Sequence, residues 1–409
     1  MKFKDYIKRK KLRTIFNTKL SKSYFTGTDG VSTTKFKEIL DDEITIIKRK
    51  INNLTYKISP YTEKLILKGR DKNPRMISIP TNRDKLTFEA VNSFLQDTYK
   101  GKLFDKSVYT HIKKIKEDLK LNQYDTFIKL DVISFFPNID HNILLNKLEK
   151  KITDKSILSL LYKSFIQKTN STGRSKTIQK EFITKGIPQG LSFSNILSSI
   201  YMQKIDKKYS KNTNISYHRF VDDILILCKK EDAKKLQKSI VNDINNLKLE
   251  VHPFEVNSDK STIGLINKDT FQFLGYEFYQ DIISVRQSTI DKLRDRIIKV
   301  IASKDLSKKE KLKKLNLKIT GCIYEDKQYG WLYFFRLMND MKLLYSLDNF
   351  VQKILNQYKV TYKDNELKKF SKAYYEMKNH KNKYIPNYLK LIDIKWDDIK
   401  EIKDDIEFY

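Results

Sequence analysis

Asp222 and Asp223 stand side by side between two apolar runs, ISYHRF and ILILC, and a third carboxylate, Asp131, closes the run FIKLD. Aspartates gathered from separate segments can hold Mg2+, which prefers hard oxygen ligands and keeps several coordination sites for water and phosphate oxygens, so few protein carboxylates are needed. Two such ions about 3.5–4 Å apart would activate a hydroxyl and neutralise the charge that builds on phosphorus and its leaving group. The chemistry open to these residues is therefore two-metal phosphoryl transfer. An Asp-Asp pair in a turn is more often only a solvated turn. Here the apolar flanks predict a buried hairpin that presents the pair at its tip.

The surrounding elements must place these groups. FIKLDV reads as a strand of period two, with Phe127, Lys129 and Asp131 on a polar front and Ile128, Leu130 and Val132 on an apolar back. The carboxylates can meet only if this strand and the VDD hairpin are neighbours in one sheet. GIPQG makes a turn ahead of a helix, LSFSNILSSIYMQKID. Ser192 and Ser194 near its start permit a close approach, and Ile196, Leu197, Ile200 and Tyr201 are available for burial. Upstream, TEKLILKG and RMISIP are predicted strands broken by a turn at KGRDKNP, followed by a helix with Leu86, Ala90, Phe94 and Leu95 on one face. The first 60 residues are basic and helical in pattern, with Phe36, Ile39, Leu40 and Ile47 at helical spacings. A further helical region is expected from about Ile139 to Lys168. Beyond QFLGYEF, a helix from Gln287 carries Ile290, Leu293, Ile297 and Ile301 at i, i+3, i+7 and i+11. Strands and helices that interleave, followed by helices alone, predict an α+β fold with a helical subdomain after it.

With 409 residues and 40% hydrophobic content the chain can bury a large core, which excludes global disorder and favours two or three subdomains. Its 81 lysines and arginines against 50 acids leave a formal charge of +31, a balance that asks for a polyanionic partner. The excess is spread as KRKKLR, KKIKEDLK and KKEKLKKLNLK among many tyrosines and phenylalanines, as a surface that tracks phosphates and stacks bases requires. AT-rich coding bias explains part of the lysine, but it enriches asparagine as well without adding charge. Two cysteines, Cys228 and Cys322, exclude a disulfide framework and a four-cysteine zinc site. The basic start MKFKDYIKRKKLRTIF has no apolar core of signal-peptide length, and no stretch approaches the roughly 20 apolar residues of a membrane span. A cytoplasmic protein without a membrane partner is expected.

FIKLDVISFFPNID, GIPQGLSFSNILSSIYM, FVDDILIL and FLGYEF stand in the order of the palm motifs of reverse transcriptases, and RMISIPTNRDKL resembles the arginine-bearing fingers hairpin of the bacterial enzymes. The resemblance covers roughly residues 55 to 280. It implies a right-hand polymerase with fingers at 61–125, palm at 126–285 (a fingers insertion at about 142–185) and a helical thumb at 286–360. A basic helical segment, 1–60, would precede these and a helical extension, 361–409, would follow, with Ile394, Ile399, Ile402 and Ile406 inward. By the same resemblance Asp131, Asp222, Asp223 and the Val132 carbonyl would hold two Mg2+ ions, for which Mn2+ substitutes, Asp223 being the least direct ligand. Phe136 falls where the family keeps an aromatic gate against a 2′-hydroxyl, so dNTPs are the expected substrates; one ring of Phe135 and Phe136 is expected in the core. Arg75 would contact the triphosphate, with Lys68 and Arg70 as helpers. Gln189 and Gly190 would pack beneath the templating pair, where glycine lets backbone approach a base. Phe273, Leu274, Gly275 and Tyr276 would form the primer grip.

Departures narrow the subgroup. Phe220-Val221 replaces the commoner tyrosine-alanine or tyrosine-valine ahead of the acids. No nuclease module or ribonuclease H acid set follows the thumb. The retron signatures Asn-Ala-x-x-His and Val-Thr-Gly are absent, ITGCIYEDKQYGW being nearest to the second. The remaining resemblance is to stand-alone unknown-group and abortive-infection-like enzymes of phage defence. The expected partners are then an RNA template, a cognate non-coding RNA, with a DNA primer or product and dNTPs; whether the chain forms a homo-oligomer is left open by the sequence. The rivals are a template-independent or protein-primed DNA polymerase and a catalytically silent RNA-binding scaffold.

Overall fold

The structure, a computed structural model, describes residues 2–22, 25–66, 74–104, 106–170, 183–255, 258–324 and 327–379. The predicted turn at KGRDKNP, the helper residues Lys68 and Arg70, and the isoleucines from Ile394 to Ile406 lie outside the described residues. Among those residues no helix is long and apolar enough to cross a membrane.

The chain begins helically, with α1 (Arg9–Ile15), α2 (Thr33–Glu38) and α3 (Leu40–Asn52), where Phe36 and Ile47 are buried as their spacing predicts. β1 (Tyr61–Ile66) and β2 (Arg75–Ile79) pair antiparallel from Thr62↔Ile79 to Ile66↔Arg75. α4 (Asn82–Tyr99) starts at Thr81, whose side chain accepts from the Asp84 amide, and buries Leu86, Ala90, Phe94 and Leu95. Then come α5 (Val108–Lys120), β3 (Thr126–Asp131), the single turn α6 (Phe135–Asn138), α7 (His141–Glu149), α8 (Lys155–Phe165) and β4 (Thr169–Asn170), which extends the first hairpin by pairing with β1. α9 (Ser194–Ser210) leads into β5 (Ser216–Phe220), β6 (Asp223–Cys228) and α10 (Lys230–Asn245). After β7 (Thr262–Leu265), three strands, β8 (Phe271–Phe273), β9 (Tyr276–Tyr279) and β10 (Ile282–Val285), form a meander. Helices then dominate: α11 (Gln287–Ala302), α12 (Lys308–Thr320), α13 (Trp331–Phe334), α14 (Met341–Gln357) and α15 (Phe370–Asn379), with the small hairpin β11 (Cys322–Tyr324) and β12 (Lys327–Tyr329) before α13. This mixture of helices and antiparallel sheets is the α+β fold the sequence predicts.

These elements divide into two compact units. One holds Met1–Asp105, Leu130–Thr213 and Lys234–Pro253; the other holds Lys106–Lys129, Asn214–Ala233 and the chain from Phe254 onward. In the second unit β5, β6, β3 and β7 form a four-stranded sheet in that order, so β6 lies beside β3. Its core continues through the β8–β9 hairpin into α11, α12, α14 and α15, and includes Ile290, Leu293, Ile297 and Ile301 of the predicted thumb helix. α12 opens with a reciprocal capping box, the Ser307 hydroxyl accepting from the Glu310 amide while the Glu310 carboxylate accepts from the Ser307 amide. Both cysteines are buried, Cys228 at the end of β6 and Cys322 at the start of β11.

β3 departs from its predicted polar front. Residues 126–130 are buried on both faces. Phe127 sits opposite Gly264 on β7, where an added Cβ would come within 2.6 Å of its ring, and it packs tilted against Phe271 with ring centroids 4.6 Å apart. Lys129 is buried as well and donates its amine to the Asp259 carbonyl at 2.8 Å. Alternation in sequence gave the phase of the strand, but its front is covered by other strands.

Candidate active site

In the second unit the register from Ser216↔Leu227 to Phe220↔Asp223 leaves only Val221 and Asp222 to make the turn between β5 and β6. Ile224 to Cys228 are fully buried, so a rigid strand fixes one side of the tip. Asp222 and Asp223 are half-buried, whereas Phe220 is exposed. Val221 adopts φ +59°. A β-branched side chain in this left-handed region is strained by about 1–3 kcal/mol and persists only where the surroundings hold it. Arg219 is part of that hold: its guanidinium is buried and Nη1 donates to the Val221 carbonyl at 2.9 Å. Sequence reasoning missed Arg219, because a charged residue in an alternating strand reads as a solvent-facing one.

The predicted primer-grip residues form a second two-residue turn in the same unit. Phe273 and Tyr276 are paired across β8 and β9, and Leu274 and Gly275 connect them at φ +52° and +82°. Positive φ at both turn positions is the type I′ hairpin geometry, which matches the right-handed twist of its strands. Phe273 and Tyr276 point into the core, and the Tyr276 hydroxyl donates to the Phe334 carbonyl at 2.6 Å. Burial of that phenol pushes its pKa up, so it stays a donor.

The remaining predicted residues lie in the first unit. Asp131 ends β3 with its side chain 19% exposed. Its carbonyl accepts from the His252 amide at 3.0 Å, Ile133 donates to the Glu250 carbonyl at 2.8 Å, and Val132 bridges Val251, so residues 250–252 clamp the backbone on either side of it. His252 also brings Nε2 to 4.0 Å from an Asp131 carboxylate oxygen, a neighbour with no signal in the local sequence. Beyond Val132 the chain turns through Ser134 at φ +46° into α6. There Phe135 is buried and Phe136 half-exposed, ring edge against ring face at 5.5 Å, so the core ring of the pair is Phe135.

Backbone bonds gather the predicted nucleotide-binding residues around α6. The Phe136 carbonyl accepts from Ile187 at 3.0 Å, and the Gln189 carbonyl accepts from Ser78 on β2 at 2.8 Å. Arg75, exposed, opens that strand. Gly190 has φ +101°, and a Cβ there would lie 2.5 Å from Ile77 Cγ2 and 3.0 Å from the Ser78 carbonyl. Glycine is thus already required by the approach of this turn to β2.

Aspartate oxygens are the right donor type for Mg2+. Among the described residues no three His, Cys, Asp or Glu side chains are gathered as a ready-made cage. The protein's own share would then be small, with phosphate and water oxygens completing the sphere, which is how Mg2+ is commonly held at nucleotides.

A family profile described as reverse transcriptase (RNA-dependent DNA polymerase) matches residues 66–278, just over half of the chain and a span that contains every site residue above. The chain belongs to the reverse transcriptase family. Curated relatives of this reverse transcriptase domain include the group II intron-encoded protein LtrA of Lactococcus lactis subsp. cremoris, 30% identical over 187 residues, 44% of this chain and 29% of that protein. The putative COX1/OXI3 intron 2 protein of Saccharomyces cerevisiae is 26% identical over 301 residues, 56% of this chain and 33% of its own. Protein YkfC of Escherichia coli is 22% identical over 293 residues, 61% and 74% respectively. The match thus spans about a third or less of the two intron proteins. A solved telomerase from Candida albicans, in complex with a fragment of telomeric RNA, is similar at a TM-score of 0.46 and 13% identity, over 87% of this chain and 64% of that one.

Proposed function

We propose that this reverse transcriptase domain is an active RNA-directed DNA polymerase that extends a primer with dNTPs. The observation that supports this most is the β5–β6 turn: a two-residue tip between buried strand residues that presents the half-buried Asp222 and Asp223 side by side. Asp131, Asp222, Asp223 and the Val132 carbonyl would hold Mg2+. When bound, the ions supply charge neutralisation at the phosphate and activation of the primer hydroxyl. The chain's own residues supply the rest. Arg75 binds the triphosphate through a planar guanidinium suited to paired phosphate oxygens. Phe136, fixed through its carbonyl to Ile187, closes the space beneath the sugar and excludes a 2′-hydroxyl. Gln189 and Gly190 support the templating pair from the turn against β2. Leu274 and Gly275 present backbone to the primer end.

The narrower reading is a stand-alone enzyme that copies a bound non-coding RNA in phage defence, with fingers, palm and thumb as the sequence divides them. The charge of +31 favours a nucleic-acid ligand, and binding should weaken steeply with salt. Sequencing DNA made with and without added RNA tests the templated reading, and product indifferent to every template would overturn it. Phage challenge of cells expressing wild type or the Asp222→Asn, Asp223→Asn protein tests the defence role. Equal protection by the two would remove DNA synthesis from that role.

A further inference from the structure

Behind the acid-bearing turn, still within the second unit, lies a chain of buried polar groups that the proposed chemistry does not use. His111 on α5 and His218 on β5 face each other with Nδ1 atoms 3.1 Å apart, and both rings are buried. His218 Nε2 is 2.9 Å from the Ser216 hydroxyl, two residues back on the same face of β5. That hydroxyl donates to Asp118 at 2.5 Å, and the other Asp118 oxygen is paired with Lys114 at 2.7 Å.

Counting donors fixes the protons. Ser216 spends its hydrogen on Asp118, so its lone pair must accept from His218, which places a proton on His218 Nε2. Neutral His218 then offers Nδ1 as an acceptor, and His111 must donate from its own Nδ1. Burial holds both imidazoles neutral, with pKa values pushed down to about 4 for His111 and about 3 for His218. Every bond in the chain therefore runs one way, toward Asp118.

Its location gives the chain a use. The His111 ring also lies against the backbone of Arg219, the residue whose guanidinium holds the Val221 carbonyl. On the other side, Phe273 of the β8–β9 hairpin meets His111 edge to face at 6.0 Å, and His218 at 6.3 Å. The same pair of rings thus touches the strand that leads into Val221 and Asp222 and the hairpin that carries Leu274 and Gly275. We infer that His111 and His218 are positioning residues which lock the acid-bearing hairpin to the Phe273–Tyr276 hairpin. The inference rests on the polymerase reading for its functional meaning but not for its mechanical content.

Two measurements on the full chain test it. The first is hydrogen–deuterium exchange in wild type, His111→Phe, His218→Phe, the double variant and His111→Asn. Each single phenylalanine variant should speed exchange about tenfold in both residues 216–228 and residues 271–279, with α14 unchanged. His111→Asn, which keeps a donor near the Nδ1 position, should restore most of the protection. The double variant removes both polar partners together, so it should fold nearly as stably as wild type. The second measurement is extension of oligo(dT) on poly(rA) with dTTP, normalised to titrated active sites. The phenylalanine variants, including the well-folded double one, should lose about tenfold in kcat and change the KM for dTTP by less than about twofold. Exchange that rises in one hairpin alone, or in neither, overturns the lock, and so does an unchanged kcat per active site. If wild type makes no DNA, the polymerase reading falls while the exchange data still decide whether the histidines join the hairpins.

Discussion

Two hairpin turns of the second unit differ in one respect that matters. Both are two residues long and both leave an aromatic residue at the end of the first strand: Phe220-Val221-Asp222-Asp223 and Phe273-Leu274-Gly275-Tyr276. The β8–β9 turn has glycine at one of its two positive-φ positions, and its flanking rings are buried. The β5–β6 turn places a valine at φ +59° where asparagine or glycine would be relaxed, leaves Phe220 exposed, and is held by a buried arginine. The first uses turn chemistry to shape backbone. The second accepts strain so that a carboxylate can stand at the tip, a pattern associated with functional sites.

Four substitutions or conditions bear on that contrast. Asp222→Asn should cost on the order of 10³-fold in DNA synthesis with little change in the thermal transition, because it neutralises a proposed metal ligand while keeping the size of the side chain. Full activity in a primer-extension assay would dissociate the tip from the chemistry. Gly275→Val, in contrast, should appear first in stability, at roughly 2–3 kcal/mol in urea unfolding, since a β-branched residue is forced to φ +82°. A Gly275→Val protein as stable as wild type would mean that the turn relaxes freely.

Acid comes third. The folded-state pKa values of His111 and His218, about 4 and about 3, lie below the ordinary 6.5, chiefly through burial. The unfolded chain therefore binds more protons between these limits, so the contribution of the pair is fully present above pH 6.5 and is lost as pH falls toward 4. Roughly 2 kcal/mol per histidine, about 4 for the pair, should disappear between pH 7 and pH 5, and the His111→Phe, His218→Phe protein should show a flatter profile in urea titrations. The smallest effect is expected from Val221→Asn, which should gain about 1 kcal/mol by relieving the left-handed valine. Turnover should fall a few-fold in that protein, whereas Lys359→Asn, at φ +53° and outside the proposed site, relieves a similar left-handed residue with turnover intact. Equal kinetics in the two would mean that the strain at Val221 has no functional part.

Much of this arrangement was legible in the sequence for local reasons. The apolar flanks of Asp222 and Asp223 announced a buried hairpin, the i, i+3, i+7, i+11 spacing from Ile290 announced a helix face, and the end of the FIKLD run located Asp131 on its strand. What escaped depends on distant partners. Phe127 is covered because β7 offers Gly264 opposite it, a pairing set by register rather than by either segment alone. Gly190 answers to Ile77 and Ser78, more than 100 residues earlier. His111 and His218 are separated by 107 residues, and each reads locally as an ordinary residue in a helix and a strand. Long-range polar pairs leave no periodic trace, which is why the acid-bearing hairpin was foreseen and the buried histidines behind it were not.

The two thiols supply a reporter for all of this. Cys228 closes the strand that begins at Asp223, and Cys322 opens the hairpin ahead of α13; both are buried, and burial pushes the Cys228 pKa up to about 12. Neither can meet an aqueous alkylating reagent without an opening fluctuation, so the rate at which each is modified reads the free energy of opening at its own position. Native chain, with no label engineered into it, therefore carries one gauge on the acid-bearing strand and another among the helices that follow.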